Sequence, residues 1–393
     1  MTYNFDEIID RRNTNSIKYD FAKERGMPDS VLPLWVADMD FTVPKSVIET
    51  LVNASNHGIF GYSEVKDEYV TVLKEWFSKH YKWDIHPSWL VKTPGVVYAI
   101  CMAIRALTNV NDCVLIQRPV YYPFSESITS NERNLINNPL QYKDGTYSID
   151  IEDFEHKIIE HNVKLFILCN PHNPVGRVWT KEELIAMGDI CVKHNVYVVS
   201  DEIHADFIYP GREHLVFSNL KEEYKEITIT CTAPSKTFNL AGLQVSNILI
   251  PNKAIKKQFK DEIRKTGYSQ LNTMGLLACM AAYKNGEEWL LHLKEYLLSN
   301  LNYVREYLFE HIPSITLVEP EGTYLVWIDL SKLNLDEDEL EDLIVHKANL
   351  WLDKGTMFGP EGTGFQRINI ACPRQTLDTA LNSFKQAVDS LNS

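Results

Sequence analysis

Lys236 stands in "TAPSKTFNLAGLQ" (232–244), Asp201 in "SDEIH" and Asn173 in "CNPHNPVG", and each follows a short apolar run. A lysine amine relieved of its proton attacks carbonyl carbon. An aspartate supplies a fixed negative charge, and an asparagine both donates and accepts hydrogen bonds. Singly, each has an ordinary explanation: strand-end aspartates cap turns, isolated lysines sit in water, and NPHNP is a turn sequence. Their succession after consecutive apolar runs is what points to a site.

The runs themselves are short and β-branched: "DCVLIQ" (112–117), "VKLFILC" (163–169), "NVYVVSD" (195–201), "EITITCT" (226–232) and "SNILI" (246–250). Between them lie segments of helical period at 97–107, 151–162 and 181–194, with Thr180 placed to cap the last and Glu182 and Glu183 in its first turn. Alternation of this kind predicts βαβ units and a doubly wound, mostly parallel α/β sheet. Ligands of such sheets bind outside the carboxyl ends of the strands, which is where the three motifs fall. An amine, an acid and an amide converging there match the needs of pyridoxal phosphate: a Schiff base and a partner for the pyridinium nitrogen.

After about residue 285 the pattern changes. A long amphipathic stretch, "EEWLLHLKEYLLSNLNYVREYLFEHI", precedes two strand-like runs, "GTYLVWIDL" and "QRINIAC", separated by an acidic helix near 336–348. The expected organisation is a large cofactor-binding domain over 46–284 and a smaller α+β domain over 285–393. Residues 1–45, without helical period, pack onto the smaller one.

Composition narrows the function. A formal charge of −14 disfavours nucleic acid and anionic membrane surfaces as partners. The acidic start lacks a signal-peptide core, and no run approaches the length of a membrane span, so a cytoplasmic protein is expected. The seven cysteines form no CxxC pair and the twelve histidines no HExxH, so no disulfide framework and no metal site are expected. A dinucleotide-dependent oxidoreductase is disfavoured because no GxGxxG follows a strand.

The segments "FDEIIDRRNTNSIKYD", "LPLWVADMDFTVP", "FGYSEV", "TPGVVYAI", "RPVYYPF", "CNPHNPVGRVW", "VSDEIHADF", "APSKTFNLAGLQ" and "GFQRINIACPR" span nearly the whole chain. Through them the chain resembles fold-type I pyridoxal-phosphate enzymes of the aminotransferase superfamily, and more specifically the bacterial carbon–sulfur lyases of the cystathionine β-lyase (MalY/PatB-like) group. The resemblance implies α,β-elimination from L-cystathionine or other cysteine S-conjugates, giving a thiol, pyruvate and ammonia. Transamination of an amino acid is the close alternative. A regulatory pyridoxal-phosphate protein that binds a transcription factor is a second.

Roles follow from the resemblance residue by residue. Lys236 carries the cofactor and then serves as base, Asp201 pairs with the pyridine nitrogen, and Asn173 binds the ring O3′. Tyr121 stacks on the ring, preferred over Tyr122 because the lyase pattern reads PVYPPF. Backbone N–H groups of Gly95, Val96 and Val97 hold the phosphate with the hydroxyls of Thr232 and Ser235. Tyr62 reaches the phosphate of a neighbouring subunit, which implies a homodimer. Arg367 takes the substrate α-carboxylate, and main-chain groups near Ala37 close over the substrate. Two departures from the aminotransferase pattern stand out: Gln244 where an arginine usually meets the phosphate, and His204 where a tyrosine usually meets O3′. The "DEIH" form is that of the lyases.

Overall fold

In the computed structural model, which describes residues 3–392, the five apolar runs form strands. The large sheet runs, in spatial order, Leu90–Thr93, Ser246–Leu249, Thr228–Thr232, Tyr197–Asp201, Leu165–Cys169, Cys113–Ile116 and Asn134–Asn137. All neighbours pair in parallel except Ser246–Leu249, which is antiparallel to both of its own. The two outermost strands were not among the expected ones: Leu90–Thr93 alternates half-exposed and buried residues, Asn134–Asn137 is half-exposed or exposed throughout, and each is a four-residue edge with only two apolar residues to signal it.

Side chains of the inner strands alternate between two cores, as a pleat of period two requires. Val114, Ile116, Ile167, Val199 and Ile229 face one layer. Leu115, Phe166, Leu168 and Val198 face the other. Helices Val96–Leu107 and Lys181–Lys193 cover opposite faces, which is the doubly wound arrangement. Thr180 caps the second helix in a reciprocal box: its hydroxyl accepts from Glu183 N–H at 3.2 Å, and the Glu183 carboxylate accepts from Thr180 N–H at 2.8 Å.

The long amphipathic stretch is helix Glu287–His311, burying Trp289, Leu293, Leu297, Leu301, Val304 and Leu308 along one stripe. It packs against an antiparallel sheet ordered Thr316–Val318, Leu325–Asp329, Phe365–Asn369, Asp353–Lys354. The acidic helix begins at Glu337 and continues to Lys347 through a π-type segment.

The N-terminal residues form a strap. Leu32–Pro33 pairs in parallel with Leu350–Trp351, and Trp35 stacks on Trp351 at 4.3 Å. Beyond that point the strap carbonyls are held one after another: Leu34 by Asn369 N–H, Trp35 by Arg367, Val36 and Asp38 by the Asn369 amide, Met39 and Phe41 by the Asn239 amide. A buried charge cluster fixes its far end. Asp40 accepts from Lys18 Nζ at 2.8 Å, Arg11 Nη1 at 2.7 Å and Tyr19 Oη at 3.1 Å, and Asp38 accepts from Arg11 Nη2 at 2.6 Å. The strap therefore crosses from the small sheet to the large one and passes over the strand ends.

Candidate active site

Each site residue is delivered by an element terminus. Asp201 is the last residue of its strand, Cys169 ends the next strand, and the Asn170–Gly176 loop follows it. The Thr228–Thr232 strand breaks at Ala233, and a single turn, Pro234–Thr237, opens on a proline that lacks the N–H a helix start leaves unused. Lys236 projects from that turn. These termini and the start of helix Val96–Leu107 enclose one cavity of about 200 Å³. Its walls include Lys236, Asp201, Asn173, His204, Tyr121 and Ser235, together with Gly95, Val96, Val97 and Ala37.

The Lys236 amine donates to the Ala37 carbonyl at 2.9 Å, and Tyr324 Oη donates to the same oxygen at 2.9 Å. Burial, helped by the Arg367 charge and opposed by Asp38 and Asp201, brings the lysine down to about 8. Asp201 is pushed up to about 7 by burial, against the pull of a single 3.2 Å bond from Ile203 N–H and of the Lys236 charge. Such a carboxylate is short of a cationic partner. His204 is buried and held neutral by desolvation and by the charges of Lys236 and Arg367, with Nδ1 unpartnered.

Asn173 is committed on one side only. Its Oδ1 accepts from Arg367 Nη1 at 2.9 Å, and its backbone carbonyl accepts from Tyr121 N–H at 3.0 Å, which leaves the side-chain NH₂ for the cavity. Arg367 stands behind it in strand Phe365–Asn369, over the Phe358 ring at 4.9 Å. Its Nη2 serves the Trp35 carbonyl at 3.0 Å and the buried Asp353 carboxylate, and its Nε has no partner. Tyr121 lines the cavity, whereas Tyr122 turns away to pack on Phe358 at 6.2 Å.

Helix Val96–Leu107 starts with no side-chain cap, so its first N–H groups and its dipole face the cavity. A Cβ built on Gly95 would meet no protein atom within 4 Å; its space is the cavity itself. Thr232 does not line the cavity, because its hydroxyl donates at 2.7 Å to the Asn247 carbonyl. Ser235 does line it, with its hydroxyl uncommitted.

An uncapped helix start, a desolvated amine, a carboxylate lacking a cation and a free amide donor are together the donor set that pyridoxal phosphate requires, and the residues fit that group. Tyr62 lies outside the cavity. It is 99% exposed, beside exposed Ile59 and Phe60, in a groove that shares Pro94 and Gln244 with the cavity wall.

Four participants escaped the sequence reading. Ser246 reaches the strand-end edge because its strand runs antiparallel, Tyr324 shares the Ala37 carbonyl with Lys236, Asp353 pairs with Arg367 through sheet register, and Asp38 lies beside Ala37 within charge range of the lysine. Only Asp38, next to Ala37 in "WVADMDF", carried a local signal.

Comparison with known proteins gives concordant results. The family profile described as Aminotransferase class I and II matches residues 29–384. Cystathionine beta-lyase PatB of Bacillus subtilis (strain 168) is 40% identical, with 98% of this chain and 100% of that protein aligned. Protein MalY of Escherichia coli (strain K12) is 31% identical over 98% and 99% of the two. Among solved structures, cystalysin from Treponema denticola, which contains a pyridoxal 5′-phosphate cofactor, superimposes with a TM-score of 0.96 at 39% identity and covers 100% of both chains.

Proposed function

The chain belongs to the class I and II aminotransferase family, and from that premise we propose that it is a pyridoxal-phosphate-dependent carbon–sulfur β-lyase. The substrate class is L-cystathionine and related L-cysteine S-conjugates; the products are a thiol, pyruvate and ammonia. The observation that carries the reading is the meeting of Lys236 and Asp201 in one cavity with their proton affinities driven toward each other, to about 8 and about 7.

When bound, the cofactor supplies an aldehyde for an amine to condense with and an electron sink for the α-carbon. The chain does the rest. The helix start at Gly95–Val97, with Ser235, fixes the phosphate end. Asp201 would hold the ring-nitrogen end of the cofactor and supply the negative charge that favours a proton there, and the Asn173 amide and His204 would be the side chains available to its phenolic oxygen. Tyr121, in the cavity wall, would pack against the cofactor and exclude water from it. Arg367 orients the substrate carboxylate through the N–H groups left by Asn173, Trp35 and Asp353. Lys236, parked on the Ala37 carbonyl, takes the α-proton, and the sulfur departs from Cβ. A thiol of pKa about 8.5 leaves far more readily than a hydroxyl, which favours sulfur substrates.

We read residues 46–284 as the cofactor-holding domain and 285–393, with the N-terminal 45 residues, as the part that closes on it. The working unit in this reading is a homodimer in which Tyr62 of a second copy enters from the groove at Gln244 and completes the phosphate site. All seven cysteines are unpaired, which supports a cytoplasmic setting. No helix among the described residues is long and apolar enough to cross a membrane.

The test is direct. Thiol and pyruvate are assayed with cystathionine and cysteine, alongside keto-acid exchange with other amino acids. Parent protein is expected to release both products and Lys236→Ala neither; exchange without thiol release would instead make the protein an aminotransferase.

A further inference from the structure

Lys294, on helix Glu287–His311, is half-buried yet makes no hydrogen bond or ion pair with any described residue. Burial lowers its proton affinity, opposed only by the charge of Asp206. A partly desolvated ammonium without an anion is costly. Lys294 sits where two clefts outside the catalytic cavity meet. One, of about 590 Å³, is polar and includes Asp206, His214, Glu287 and Glu288; the other, of about 350 Å³, is lined by Phe207, Pro210, Leu297 and Leu298 together with Glu295 and with Arg212, which is paired with Glu321. Ile208 and Leu291 line both beside Lys294.

Chemistry selects the occupant. Three acids of the polar cleft are already engaged: Asp206 accepts from Thr237 Oγ1 at 2.6 Å and from Tyr81 Oη, Glu287 accepts from Lys79 at 2.6 Å, and Glu213 accepts from Lys82 at 2.6 Å. The unmet demand is therefore for an anion at Lys294. The polar cleft nonetheless holds two lysines against four carboxylates, which disfavours a polyanion and favours a ligand carrying a positive group as well. The adjoining cleft asks for an apolar tail.

We propose that these joined clefts bind an α-amino acid with an apolar side chain, its carboxylate on Lys294, its ammonium toward the acidic rim and its side chain among Phe207, Pro210 and Leu297. The site is wired to the catalytic one from two sides. Asp206 holds Thr237, the neighbour of Lys236, and His214 donates from Nε2 at 2.8 Å to Glu202, the neighbour of Asp201. Occupancy acts on both, so the ligand is an effector.

L-norleucine is titrated calorimetrically into holoenzyme whose lysine–cofactor bond has been reduced with borohydride, so that no amino acid can displace Lys236. One saturable site per chain is expected. Affinity falls about tenfold in Lys294→Gln, the size of one charge-assisted hydrogen bond, and is lost in Leu291→Trp, which fills the junction from an exposed position. Should Lys294→Gln not fold, Leu291→Trp decides alone. Absence of binding to the reduced holoenzyme, or equal affinity in parent and variants, overturns the proposal. A protein that takes up no cofactor would instead refute the lyase reading, and the titration is then run on it unreduced with the same outcomes.

Discussion

With Lys236 at about 8, roughly a tenth of the amine is neutral at pH 7, and only the neutral form attacks an aldehyde. In cofactor-free protein the rate of pyridoxal-phosphate capture, followed by absorbance, should climb about tenfold per pH unit below 8 and level off above it. A lysine still titrating near 10.5 would keep climbing to pH 10. A second residue-scale expectation concerns Lys18, whose ammonium is fully buried against Asp40. Asp40→Ala removes the 2.8 Å partner and leaves only Asp38, at 3.9 Å, facing that charge, and should cost about 3 kcal/mol in denaturant unfolding. Lys236, Asp201 and Asn173 were legible in the sequence because each closes or closely follows an apolar run. Asp353 was not: its pairing with Arg367 depends on two distant strands lying in register.

At the level of elements, the start of helix Val96–Leu107 offers N–H groups and no side chain to satisfy them. Gly95 is extended, so a larger residue there introduces no backbone strain and simply occupies the cavity. Gly95→Leu should leave the melting temperature of cofactor-free protein within a few degrees of the parent while weakening cofactor affinity about a hundredfold or more, measured by titration of the visible band. Loss of both together would mean that the helix start is structural. The interior strands and the capped helix at Thr180 were readable from period and cap. The strap across the site was not, since its hold comes from Asn239 and Asn369, whose amides reach carbonyls rather than anything a local pattern encodes.

For the whole molecule, the decisive question is whether one chain suffices. Exposed Ile59, Phe60 and Tyr62 beside a groove that shares Pro94 and Gln244 with the cavity wall support a second copy completing each site. Lys236→Ala and Tyr62→Phe variants, each expected to be nearly inactive alone, should regain activity when refolded together. A mixed dimer then has one cavity with its own lysine and its neighbour's tyrosine. Absence of complementation, with mixed dimers shown to form, would mean that Tyr62 acts within its own chain or not at all.

The pairing of Leu32–Pro33 with Leu350–Trp351 also bears on how the protein is made. The strap leaves the ribosome long before the strand and the Asn369 amide that seat it. A nascent chain can assemble its large sheet and still lack the Ala37 carbonyl in place beside Lys236. Competence to handle a reactive aldehyde thus arrives only after Asn369 has been made and the strap is seated.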